Sequence, residues 1–208
     1  MEFDKQVHLP THHFRKSAKR EYLYWRKAII REFYQNSVDA FATEIRFTLD
    51  EFSDHYLLTV KDNGKGMSIQ DCEEKLLTMG GSDKGEESIG GYGVAKQILY
   101  FAWDNWEIHS QNYKIVGSGC RYNVLPNDYT DGVYSVVRLE KSESFSENTI
   151  QSYLRLCSSK VKTFVNGKEF TEWETPGEIV KILPWATLYK KGTGESGQVN
   201  VQVRGVSM

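Results

Sequence analysis

Residues 31–40 read REFYQNSVDA and set Glu32, Asn36 and Asp39 four and then three positions apart. On a helix that spacing stacks a carboxylate, an amide and a second carboxylate along one face. Upstream, Tyr22, Trp25, Ile29 and Phe33 recur at three- and four-residue intervals, the stripe of a helix lying on a core. The pattern predicts one long helix from about Ser17 to Ala42. A polar triplet beside a buried seam is, taken alone, an ordinary solvated face, and only neighbours elsewhere in the chain can give it chemistry.

Working outward, TEIRFTL alternates as a strand ending near Asp50, EFSDH is a turn, and YLLTVKDNGKGMS begins as a second strand that pairs with the first as a hairpin. That strand stops at Gly64 and Gly66, which a strand interior does not favour. Ser68 is placed to cap a short helix over IQDCEEKLLTM, and GGSDKGEESIGGYG is a polar, glycine-dense loop before the buried helical pattern VAKQILYFAWD. The second half reads mostly as strands: WEIHSQ, KIVGSGCRYNVL and VYSVVRLEK, with turns expected at Asn112 and across NDYTDG. SENTIQSYLRLCSSK is a helix capped by Ser144 or Ser146, VKTFVNGKEF a hairpin about Asn166–Gly167, and ATLYKKGTGESGQVNVQVRGV a further hairpin. Its second arm stops in mid-pattern at Met208, so the chain reads as a fragment of a longer protein.

The chain of 208 residues carries 26 basic and 28 acidic side chains with 39% hydrophobic content, which suits one well-cored domain with at most a small appendage. No apolar run reaches bilayer length and MEFDKQVHLP lacks a signal-peptide core, so no membrane partner and a cytoplasmic location are the expectations. Cys72, Cys120 and Cys157 are scattered and odd in number, arguing against a disulfide framework or thiolate metal site and for packing roles. The basic run from Arg15 to Arg31 is compatible with nucleic-acid phosphates, but its shared helix and the slightly acidic total favour a solvated face.

Three separated elements then need one explanation: the polar face of Glu32, Asn36 and Asp39, the strand end DNGKGM, and the helix start IGGYGVAK. Together these residues resemble the GHKL ATPase family, which holds gyrase B subunits, the ninety-kilodalton heat-shock chaperone, histidine kinases, MutL and the MORC proteins. Glu32, Asn36, Asp39 and Ala40 match its first motif. Asp62, Gly64 and Gly66 match its DxGxG motif, and Met67 follows as in the chaperone. Gly90 and Gly93 match its GxxGxG motif, where Ala95 replaces the last glycine. The resemblance covers roughly residues 18–170 and is closest to the chaperone, MutL and MORC branch.

It implies an α+β two-layer sandwich, the Bergerat fold, with a mostly antiparallel mixed sheet covered on one face by helices. Residues 1–170 would form the ATP-binding domain. Residues 171–208 would be a β-hairpin extension packed on it or the start of a following domain.

The resemblance further implies that Asp62 accepts the adenine amine, since a carboxylate there suits an amino purine and opposes an oxo purine. Gly64 and Gly66 would let the backbone pass under the ring, with Met67 as an adaptable wall. Gly90, Gly91, Tyr92, Gly93, Val94 and Ala95 would open a helix whose free amides hold phosphate. The loop from Gly80 to Gly91, with Ser82 and Lys84, would be the ATP lid. Asn36 would hold Mg²⁺, Glu32 would activate the attacking water, and Asp39 and Ala40 would brace the pocket.

Two departures stand out: Val133 occupies the place of a family Thr beside the adenine, and a γ-phosphate Lys or Arg from a following domain is not identifiable, which implies weak isolated turnover. An ATP-dependent homodimer is an expectation from the family, and the protein client is unknown. Histidine-kinase-type phosphotransfer and a non-hydrolysing ATP-sensing module are the competing readings.

Overall fold

The expected hairpin forms, with β1 (Glu44–Glu51) pairing antiparallel with β2 (His55–Asp62) from Ile45 opposite Asp62 to Glu51 opposite Tyr56. The computed structural model describes residues 11–21, 24–78, 95–141, 144–157, 161–174, 177–184, 186–191, 198–203 and 206–207. With β3 (Trp106–Ser118), β4 (Arg121–Glu140), β5 (Lys162–Val165) and β6 (Lys168–Glu169), the hairpin builds a six-stranded sheet of order β3-β4-β2-β1-β5-β6. The pairing of β1 with β5 is parallel, whereas the other pairs of this sheet are antiparallel.

Alternation assigns the faces. Ile45 and Phe47 of β1, Tyr56, Leu58 and Val60 of β2, and Ile108 and Ile115 of β3 are all buried on one side. Helices cover that side, so the architecture is the expected α+β two-layer sandwich.

The single long helix is a correction. Helix α1 (Thr11–Glu21) is separate from α2 (Trp25–Asp39), because Tyr24 departs from helical geometry at φ −121°, ψ 64° and starts α2 by accepting from Lys27 N and Ala28 N. Helix α1 docks through Phe14, packed edge-on against Phe101, and through Arg15. Arg15 binds the Ala102 carbonyl, Asp104 and Glu140, so it is a structural clamp and not part of a solvated face.

Helix α2 is buried nearly all round. Trp25, Ile29 and Phe33 form the expected seam, and Ala28, Ile30, Tyr34 and Gln35 are buried as well. The added cover comes from α4 (Glu147–Leu154) and from the helical segment that runs on from Ala95 into the π-helical turns Gln97–Phe101. Ser146 rather than Ser144 occupies the N-cap of α4.

The turn expected at Asn112 is instead a bulge within β3, with Gln111 at φ 50° and the register shifting on either side. The chain reverses at Gly119 and Cys120, so KIVGSGCRYNVL spans two strands, and NDYTDG lies inside β4. Cys120 is exposed there, while Cys72 and Cys157 are buried packing residues. Asn166 and Gly167 take φ 47° and 78°, the primed turn foreseen between β5 and β6.

The C-terminal hairpin of β8 (Thr187–Lys191) and β9 (Gln198–Val203) is present and extended by β7 (Glu178–Ile182) and β10 (Val206–Ser207) into a four-stranded sheet. Gln202 Nε2 donates to the Leu156 carbonyl at 2.6 Å, fastening this sheet just past α4.

Candidate functional site

The C-terminal end of α2 meets the C-terminal end of β2. Helix α2 closes with Phe41 N donating to Val38 O and Ala42 N to Ser37 O, both at 3.0 Å, and Phe41 takes φ 59°. This turn leaves the Ala40 carbonyl facing outward, where it accepts Lys65 N at 3.0 Å. A Cβ on Gly64 would stand 2.8 Å from both the Cβ and the oxygen of Ala40 and 3.0 Å from Asp62 Oδ1, so the two backbones approach to a distance only glycine permits. Asn63 supports the junction: its Oδ1 accepts Thr43 N at 2.9 Å and Glu44 N at 2.8 Å, and its Nδ2 donates to Thr43 Oγ1.

Asp62 ends β2 on the buried face, 7% exposed. Ser37 Oγ donates to its Oδ2 at 3.0 Å, Gly64 N to its Oδ1 at 2.9 Å, and Val133 N to the same oxygen at 3.4 Å. Burial raises the carboxyl above its ordinary range, and the three donors pull the other way. An ionised carboxylate offers about four acceptor positions, so three donors leave one for a ligand. At the Val133 departure it is the backbone amide, independent of side chain, that reaches Asp62.

Beyond Gly66 the backbone is held from β3. Ser110 Oγ donates to Gly132 O at 2.7 Å and accepts Met67 N at 3.0 Å, while Tyr113 OH lies 3.3 Å from Met67 O and 3.4 Å from Ser68 O. A Cβ on Gly132 would fall 2.1 Å from Asp62 O, so β4 also passes against the strand end. Met67, Val133 and Ala95 are partly buried against the core. Ser68 caps α3 (Ile69–Asp71) by accepting Asp71 N at 3.1 Å, and the helix continues as a π-helical turn over Cys72–Leu76. Burial pushes the Cys72 thiol up to about 12, consistent with a packing role.

On the polar face of α2, Glu32 is buried, whereas Asn36 and Asp39 are half-buried. Arg31 grips the Glu32 carboxylate, Nη2 at 2.7 Å and Nε at 3.2 Å from Oε1, and leaves the Glu32 side chain 8% exposed. The face thus presents a fixed carboxylate one turn from an amide.

Sequence reasoning missed the bracing groups Ser37, Asn63, Ser110 and Arg31. Ser37 lies inside the motif and could have been suspected from its polarity next to Asn36; Ser110 and Arg31 carried no local signal. It also missed Lys96, a buried lysine whose Nζ donates to Lys75 O at 3.0 Å and to Thr78 O, and whose pKa burial lowers. The expectations for Ser82, Lys84, Gly90, Gly91, Tyr92, Gly93 and Val94 lie outside the described residues.

Among the described residues no three His, Cys, Asp or Glu side chains converge as a metal cage. The oxygen donors on the α2 face fit a hard cation of the Mg²⁺ kind, which takes one or two protein oxygens and completes its shell with phosphate and water. No helix among the described residues is long and apolar enough to cross a membrane. A family model described as histidine kinase-, DNA gyrase B- and HSP90-like ATPase matches residues 24–152, from the cap of α2 into α4. No curated protein matches the chain.

Proposed function

The chain belongs to the family of histidine kinase-, DNA gyrase B- and HSP90-like ATPases, and from that premise we propose that it binds ATP with Mg²⁺ and hydrolyses it slowly. Its nucleotide state would drive lid closure or dimerisation of a larger protein. The observation that carries the reading is Asp62: a buried carboxylate held by Ser37, Gly64 and Val133 with one acceptor position left suits the exocyclic amine of adenine. Guanine would set its carbonyl oxygen against that carboxylate.

At the other end of the ligand, Glu32 accepts a proton from water as the water oxygen attacks the γ-phosphorus and ADP departs. Arg31 fixes the orientation of that carboxylate, which is the positioning such a step needs. Asn36 is the residue that would hold Mg²⁺, and the bound ion would supply charge neutralisation at the phosphates. Ala40 joins α2 to the loop after Asp62 by accepting Lys65 N, and Asp39 would brace the pocket beside it. The glycines up to Gly93 would offer amides to the phosphates.

Calorimetric titration with ATP and Mg²⁺, run beside assays of phosphate release and of label transfer to the protein, tests the proposal. Heat of binding and released phosphate without a labelled protein are expected. Glu32→Ala should keep binding and lose turnover by at least about a hundredfold, the usual share of a general base. Label on the protein would turn the reading to phosphotransfer, binding without phosphate release to an ATP sensor, and loss of binding in the variant would remove Glu32 from the role assigned to it.

A further inference from the structure

The four-stranded sheet ends on an apolar edge. Its order β10-β9-β8-β7 leaves β7 at the margin among the described residues, and all five β7 side chains are exposed. Three of them are apolar: Ile179, Val180 and Ile182 are 54%, 60% and 70% exposed. At the other margin β10 meets α2, and Gln202 of β9 is bonded to Leu156. A strand with an open row of backbone N–H and C=O groups and an apolar surface is a template for another strand.

Register with β8 assigns the faces of β7. Ile179 pairs with Tyr189 and Ile182 with Thr187, while Glu178 pairs with Lys190 and Lys181 with Leu188. Thr187 and Tyr189 are two residues apart on β8 and share a face; Leu188 and Lys190 share the other. Ile179 and Ile182 therefore lie on one face although they are three positions apart. The register shift between Ile179 and Lys181 is the cause, because it makes Val180 an extra residue opposing Leu188 together with Lys181. In a regular strand the two isoleucines would point to opposite faces.

We propose that β7 pairs antiparallel with β7 of a second copy of this chain, about a two-fold axis between Val180 and Lys181, joining two four-stranded sheets into one of eight. In this register Ile179 stands opposite Ile182 of the partner subunit, and Val180 opposite Lys181 of the partner subunit. The faces match at every position from 179 to 182, which only the bulge makes possible. On the other face the charges read, along the joined strands, Glu178, the partner's Lys181, Lys181 and the partner's Glu178. Each lysine thus has a carboxylate of the other copy two positions away on its own side of the axis, within diagonal reach of long side chains. Glu178 and Lys181 have no ion-pair partner among the described residues, and Lys190 beside Glu178 is the remaining charge of β7 and β8 on that face. A foreign strand could use the backbone edge, but the apolar and charged side chains of β7 complement one another within the same five residues, as an isologous contact requires. Two strands of this length make a small contact, so the dimer is weak and exchanging. The inference is independent of the nucleotide reading, and the contact forms with or without ATP.

Sedimentation velocity of the full chain from about 5 to 500 µM, with and without ATP and Mg²⁺, tests it in the range expected of so small a contact. A monomer–dimer equilibrium with the same midpoint in both conditions is expected. Ile179→Lys and Ile182→Lys each set a charge against an isoleucine twice per dimer and should weaken association about tenfold or more, with the thermal melt of the monomer unchanged. Cysteine pairing reads the register itself. In a Cys120→Ser background, which removes the exposed thiol, Ile179→Cys and Ile182→Cys chains mixed under mild oxidation should form disulfide-linked heterodimers, since opposed residues lie about 5 Å apart. Either variant alone should not cross-link, its two cysteines standing about 11 Å apart across the axis. The proposal is overturned by a monomer at all these concentrations, by association that both lysine variants leave unchanged, or by cross-linking of one cysteine variant with itself in preference to the mixture. A dimer that appears only with ATP and ignores the β7 variants would overturn it as well.

Discussion

Replacing Asp62 by Asn changes one oxygen to an amide nitrogen at the centre of the site. The Asn carbonyl can keep the place of Oδ1 and go on accepting Gly64 N, now at 2.9 Å, and Val133 N, now at 3.4 Å. The amide nitrogen then takes the place of Oδ2, where the Ser37 hydroxyl, 3.0 Å away, turns from donor to acceptor. The local fold survives, but the position left for the ligand becomes a donor facing the donor of adenine.

A mismatched buried polar contact costs about 1–3 kcal/mol, which is a loss of roughly 5- to 150-fold in ATP affinity. Inosine and guanine nucleotides, which present an acceptor there, should lose less or gain. Stability should move independently of affinity. The Asp62 carboxyl is raised in the folded protein, so its contribution to stability is fully present below the unfolded value near 3.8 and is lost as pH rises through the higher folded value. Asn carries no such pH-linked loss, so the variant should melt at neutral pH no lower than the wild type. Calorimetric titration with ATP and inosine triphosphate, paired with thermal melts at acid and neutral pH, reads both effects. A variant with a native melt and undiminished ATP affinity would refute the assignment of Asp62 to the base.

Gly64→Ala drives a methyl group to within 2.8 Å of Ala40 and should destabilise by on the order of 1–3 kcal/mol while weakening ATP, read by chemical denaturation and titration. Phe41 is 80% exposed and holds φ 59°, so Phe41→Gly should relieve backbone strain by about 1 kcal/mol and raise the melting midpoint by roughly 2–4 °C, visible in a thermal scan. An unchanged or lower midpoint would mean that the ring makes contacts that outweigh the strain.

Much of the fold was legible because its signals are local. Alternation in TEIRFTL and YLLTV marked β1 and β2, and Asn166–Gly167 marked a primed turn, since each depends on a two-residue period or on left-handed backbone preference. Where reading failed, distant contacts had overridden local preference. The helical pattern runs through Tyr22 to Trp25, but the docking of Phe14 and Arg15 onto Phe101, Ala102 and Glu140 directs α1 separately from α2. Asn112 suggests a turn, yet the ladder between β3 and β4 absorbs the irregularity as a bulge at Gln111 because pairing continues on both sides of it.

The sequence by itself determined which side chains the α2 face and the DNGKGM strand end would present, because helix period, strand alternation and glycine placement are properties of contiguous residues. What only the tertiary structure decided is which groups hold them. Ser37 reaches Asp62 across 25 positions of sequence, Val133 across 71, and Ser110 reaches Met67 across 43. These bonds exist because the sheet order puts β2 between β1 and β4 and packs α2 over their ends. A buried carboxylate without donors would cost several kcal/mol, so the donors had to come from wherever the fold brought them close.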